Sequence, residues 1–199
     1  MARQRKANAD QALQSAILAF WKLGYHGLGT RQLEQETGIT RFTLQTSYGG
    51  KKALFLQALD TYLDLFEASL EQPMQTADLD SFAQWFELRP VPDQMQEATR
   101  DGCLMINSIL EFPRDDQDIT KRAERFYAMM RERLTQALER IKANGRQVSD
   151  SFDVPQAVEL LLAAVIAQNV SNKSRAPNAK PQQLMQATAD MVRGWRQGA

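Results

Sequence analysis

Apolar residues recur along this chain at intervals of three and four, and no stretch alternates with period two for long. That spacing predicts helices throughout. A first helix is expected from about Ala7 to Leu23, with Leu13, Ala16, Ile17, Phe20 and Trp21 on one stripe, ended by the glycines of Gly24-Tyr25-His26-Gly27. A short helix follows, about Thr30 to Thr37. Then come a turn at Gly38-Ile39 and a second short helix, about Arg41 to Ser47, with Thr40 as N-cap. Gly49-Gly50 breaks the pattern, and a longer helix runs from near Lys51 to about Leu70. The remaining helices are expected at Ser81 to Leu88, Gly102 to Glu111, Gln117 to Ala143, Val154 to Asn172 and Pro181 to Arg196. Between them lie a connector over 71–80, a break over 89–94 and a loop over 173–180. The chain divides into 1–52 and 53–199, with no internal repeat.

Two short helices joined by a tight glycine turn form the helix-turn-helix pattern, and Leu33, Ile39 and Leu44 supply the small apolar core it needs. If the second of them packs through Leu44 and Tyr48, steps of about 100° per residue turn Phe42, Thr43, Gln45 and Thr46 outward. Charge sharpens this picture. The 199 residues have a formal net charge of zero, yet residues 1–52 carry eight Lys or Arg against three Asp or Glu. A basic first quarter on an acidic body points to a polyanion as partner of the first part.

The chemistry of the side chains excludes more than it offers. His26 is the single histidine, so a catalytic triad and a multi-histidine metal site are both out of reach. No phosphate-cradling glycine loop, G-x-S-x-G or CxxC occurs, and Asp115-Asp116 reads as helix capping. No catalytic residue, metal or cofactor is expected. The lone Cys103 fits a reducing compartment. With no apolar run of eighteen residues and no signal peptide in the first residues, the chain is expected to be cytoplasmic and free of membrane. Residues 154–170 are apolar on more than one side, notably at Val158, Leu161, Leu162, Val165 and Ile166. Either a partner subunit covers the second side, or the helix is buried within a monomer.

The stretch Ile17 to Phe55, with Gly24-Tyr25, Leu33, Gly38-Ile39-Thr40, Leu44, Tyr48 and Lys51, resembles the amino-terminal domain of the TetR family of bacterial transcriptional regulators, over roughly residues 10–60. Further on, Gly102 to Glu111 resembles a segment of that family's ligand-binding body. The resemblance implies an all-α fold with an amino-terminal helix-turn-helix DNA-binding domain and a larger helical domain for ligand binding and dimerisation. It implies a homodimeric repressor of a palindromic double-stranded DNA operator, released by an unknown small-molecule effector. The chain departs from the family pattern at Glu34, Phe42, Gln45 and Lys52. A small residue, a glycine or other small residue, a tyrosine and a glutamate are common there.

On this reading Thr30, Arg31, Thr40, Arg41, Phe42, Thr43, Gln45, Thr46, Tyr48, Lys51 and Lys52 form the DNA-binding set. Phe42 can lie against a thymine methyl or a sugar, or fold back on the first two helices. Gln45 can pair with adenine, while Arg41, Lys51 and Lys52 hold phosphates. Arg3, Arg5 and Lys6 form either a flexible arm on the DNA or a solvated tail. The ligand pocket is expected at Phe66, Trp85, Phe86, Met105, Asn107, Phe126, Met130 and Gln168, with Asn169 as a further polar candidate. The dimer interface is expected at Val158, Leu162, Val165, Ile166, Met191 and Trp195. Release would follow from a tilt of the helix beginning at Lys51. The alternatives are a helical adaptor without DNA specificity and a thiol sensor built on Cys103.

Overall fold

The apolar stripe of the first helix becomes the axis of the amino-terminal end. In the computed structural model, which describes residues 2–88, 96, 98–145 and 147–196, with backbone alone for 2–9, α1 spans Ala2–Leu23 and buries Ala16, Ile17, Phe20 and Trp21. The helix thus begins five residues earlier than its periodicity indicates and takes in Arg3, Arg5 and Lys6. No extended arm is present at these positions. Against α1 packs α2 (Thr30–Thr37), and α3 (Arg41–Ser47) packs against α2 and the helix that follows, both with the limits expected from sequence. The bonds that end and begin these helices are local. Gly38 closes α2 with φ of 69°, a left-handed conformation that costs a glycine nothing, and Thr40 starts α3 by accepting a hydrogen bond from the Thr43 amide. The Thr37 hydroxyl fixes the turn from inside, accepting from the Ile39 amide at 3.0 Å.

From Lys51–Glu71, α4 runs unbroken across the expected boundary at residue 52 and serves both ends of the molecule. Its first half gives Leu54, Phe55 and Ala58 to the core around α1, and its second half gives Tyr62, Leu63 and Leu70 to the body. The body continues with α5 (Leu79–Leu88), α6 (Leu104–Glu111), α7 (Gln117–Ala143), α8 (Val154–Ser174) and α9 (Pro181–Arg193). No strand occurs among the described residues. The expected break at 89–94 lies outside them. Asp116 caps α7, its Oδ1 accepting from the Asp118 and Ile119 amides, as the Asp115-Asp116 pair suggests.

Charged pairs bind α4 to α7 along its length. Lys52 meets Asp116 and Asp118, Arg122 is bidentate on Asp60, and Arg125 bridges Asp64 and Glu67. Each exposed pair adds little stability alone. As a row they set the register of the two helices.

Burial divides the expected dimer residues into two groups. Val158, Leu162 and Val165 are at most 3% exposed and belong to the core of the single chain, while Ile166, Met191 and Trp195 are half-buried, with the Trp195 ring on Phe152 at 5.1 Å. The second apolar side of α8 is instead Leu160, Ala163, Ala167 and Val170, all exposed. By length and composition α8 could also cross a bilayer, although one of its sides is sealed in the protein core.

Candidate nucleic-acid interface and the cavity behind it

The α2-turn-α3 unit is held by Leu28, Leu33, Ile39 and Leu44, none more than 4% exposed, so its outer surface is fixed by what it does not bury. Phe42 is 76% exposed at the first turn of α3 and does not fold back on α1 or α2. Arg41 and Gln45 are exposed beside it, and Arg31 lies exposed on α2. Glu34, where the family pattern has a small residue, turns to solvent and leaves the packing of the two helices intact.

Several threonines have local work as well. Thr40 caps α3 and its hydroxyl lies 3.0 Å from that of Thr43, while the Thr46 hydroxyl donates to the Phe42 carbonyl at 2.9 Å. Their oxygens keep capacity to accept, but their orientation is set by the helix itself. Thr30 is exposed at the start of α2, and Tyr48 is half-buried against the core as the C-cap of α3.

The two lysines that open α4 part company. Lys51 lies over the Tyr25 ring at 4.4 Å, and burial lowers its pKa against an opposing pull from Glu111. Lys52 was expected on a phosphate. It is paired instead with Asp116 at 2.9 Å and Asp118 at 3.2 Å. Hydrogen bonding to Asp116 raises the Lys52 pKa, and the same bond lowers that of the Asp116 carboxyl. The family's usual glutamate could not make this pair; the departure at Lys52 therefore has a structural partner 64 residues away.

Behind this surface an aromatic cluster joins it to the body. Phe55 and Phe112 stack at 5.3 Å, and Tyr25 touches both. Glu111, the last residue of α6, accepts the Tyr25 amide at 2.9 Å and the His26 amide at 2.7 Å. Nothing in the sequence marks this grip, because Glu111 looks there like any helix-end carboxylate.

Deeper in the body, a cavity of about 90 Å³ opens between α1, α4, α7 and α8. Phe66, Phe126, Gln168 and Asn169 line it as expected. Trp85, Phe86, Met105, Asn107 and Met130 do not. Phe86, Met105 and Met130 are fully buried packing residues, and Trp85 packs edge-on against Phe86 at 4.8 Å. Asn107 donates to the Asp101 carbonyl at 2.8 Å, which ties α6 to the preceding turn. The lining that sequence missed is Trp21, Tyr62 and Cys103, the thiol accepting from the Tyr62 hydroxyl at 3.1 Å. Cys103 is only 4% exposed.

The chain is 30% identical over 200 aligned residues to the HTH-type transcriptional repressor ComR of Escherichia coli K12, covering 97% of this chain and 91% of that protein. Its fold is similar to that of a TetR-family transcriptional regulator from Cytophaga hutchinsonii, with a TM-score of 0.80, 14% identity and coverage of 100% of this chain and 99% of that one. It is also similar to the TetR-family regulator CifR, solved as a cysteine mutant with 26-bp double-strand operator DNA. That likeness has a TM-score of 0.73 and 20% identity, over 94% of this chain and 95% of the other. No family model matches the chain.

Proposed function

The chain belongs to the TetR family of HTH-type, DNA-binding transcriptional regulators, and from that membership we propose that it is a homodimeric repressor that binds a palindromic operator through α3 and leaves it when a small molecule occupies the inner cavity. The observation that carries the reading is the α3 surface itself: a basic end of the molecule presents Arg41, Phe42 and Gln45 outward on a helix fixed from behind. Residues 1–52 act as the reading head, and 53–199 as the sensing and pairing body. Arg31, Arg41 and Lys51 hold phosphates, Phe42 lies against a thymine methyl or a sugar, and Gln45 pairs with adenine N6 and N7. The E. coli relative's designation as a repressor supports the negative sign of control. An adaptor role leaves the fixed polar face of α3 without use, and a thiol sensor has to work from a sulfur shielded by Tyr62.

Two heads each placing Arg31, Arg41 and Lys51 on phosphates make about six contacts. Affinity for the DNA upstream of its own gene is then expected to fall about a thousandfold between 50 and 200 mM salt. Titration at several salt concentrations, together with sizing of the free protein, checks this. A monomer indifferent to that DNA at low salt overturns the reading. Within α3, Gln45→Ala is expected to relax base preference at one position per half-site, at about 1–3 kcal/mol, whereas Arg41→Ala weakens all sequences alike and lowers the salt slope by about two. Binding of randomised half-sites separates the two. Uniform loss with Gln45→Ala removes it from base reading.

A further inference from the structure

Resting on the reading of the inner cavity as the effector site, we propose that the effector of this chain is a small, uncharged, single-ring aromatic compound with one N–H or O–H donor, of the phenol or aniline class. Charge, shape, size and polarity each narrow the choice. Among the described residues that line the cavity none is Asp, Glu, Lys, Arg or His, so a buried anion would find no counter-charge and a buried cation no carboxylate. Its wall is flat. Tyr62 and Phe66 are parallel to within 6° with centroids 6.1 Å apart, and Phe66 and Phe126 lie within 26° at 5.9 Å. These separations leave no slot for a ring between the plates, so a ligand ring lies offset along them. The present volume of about 90 Å³ is smaller than the roughly 150 Å³ of an engineered cavity that holds benzene, so one ring enters only by moving the walls and a fused system would have to move them further.

Polarity decides the remaining atom. Four hydrogen-bond donors around the cavity are engaged within the protein. Trp21 Nε1 donates to the Gly102 carbonyl, the Tyr62 hydroxyl to Cys103 Sγ, the Ser69 hydroxyl to the Phe66 carbonyl and Asn169 Nδ2 to the Val165 carbonyl. Gln168 Oε1 is different: it is buried without a partner. Thr99, Gln168 and Asn172 also border a more open hollow beneath α9, so Gln168 stands where the cavity meets a route from solvent. An unsatisfied acceptor at that point selects a ligand able to donate to it.

The test is calorimetric titration of the full chain, without DNA, with phenol, toluene, anisole, benzoate and tetramethylammonium. Phenol is expected to bind about tenfold more tightly than toluene or anisole, the factor of one hydrogen bond, with no heat from benzoate or tetramethylammonium at concentrations saturating for phenol. In Gln168→Leu, phenol falls to the affinity of toluene and toluene stays within about twofold, with circular dichroism checking that the fold persists. Equal binding of phenol and anisole by the unaltered chain overturns the proposal, as does tighter binding of either ion, or no binding by any of the five. Because the readout needs no DNA, it is independent of the operator titration. Phenol binding that leaves operator affinity unchanged supports the ligand class and overturns its role as effector.

Discussion

Leu160→Glu is expected to turn the proposed dimer into a monomer and to lower operator affinity by about 10²- to 10⁴-fold. Leu160 is 49% exposed and Val170 39%, and Ala163 and Ala167 lie exposed between them. Positions 160, 163, 167 and 170 share one face of α8, and the two alanines there let a second helix approach closely. A two-fold axis through that face would cover each copy's stripe with its twin's, and a glutamate near the axis meets its own like charge in an apolar seam. Each head would then bind its half-site without the help of the other. Leu161→Ala is the contrast. Leu161 is fully buried within the chain, so its truncation costs about 2–5 kcal/mol of stability and leaves the pairing surface in place. Analytical ultracentrifugation and operator titration check both variants. A Leu160→Glu protein that stays dimeric and binds as before excludes this face.

Which apolar side of α8 the body buries is not written in the sequence, for a physical reason. A helix with one apolar stripe announces its orientation through its period, but α8 is apolar on two sides, and the period then fixes no phase. Val158, Leu162 and Val165 look as eligible for a partner as Leu160 does; only the packing of α7 and α9 against one side decides. The lining of the cavity escapes the sequence for a related reason. Trp85 and Phe86 have the right chemistry, but a cavity exists where helices distant in sequence fail to fill a space. Trp21 of α1 and Tyr62 of α4 read as ordinary core stripe residues until those helices are placed beside α8. The reading head was legible because its determinants are local. Gly38, Thr40 and the spacing of Leu33 and Leu44 set α2 and α3 within a dozen residues. Lys52 belongs to the non-local class: its charge was visible and its partners on α7 were not.

Glu111→Ala is expected to keep ligand binding and lose the effect of the ligand on DNA. The row of ion pairs holds α4 to α7 from Lys52 to Glu67, so a free tilt of α4 would break several of them at once. In contrast, α6 is held at both ends by the α1 side of the molecule. At its start, the Gly102 carbonyl accepts Trp21 Nε1 at 3.1 Å, beside Cys103 in the cavity wall. At its finish, Glu111 holds the amides of Tyr25 and His26. The eight residues of α6 span about 12 Å, a rigid rod between cavity and head. A ligand larger than the present cavity would push on the start of that rod, and Glu111 would pass the displacement to the loop before α2. The contact is also close: a Cβ on Gly24, whose φ is 75°, would lie 2.8 Å from Glu111 Oε1. Removing the carboxylate is expected to cost about 1–3 kcal/mol of stability, because two amides lose a charged acceptor. The ratio of operator affinities without and with ligand, typically 5- to 150-fold in coupled systems, is expected to fall close to one, with unchanged ligand affinity and salt slope. Glu111→Gln, which keeps an acceptor without the charge, should lie between. If Glu111→Ala retains the full ratio, the signal travels through α4 and α7 moving as one unit, and the grip on Tyr25 and His26 serves stability alone.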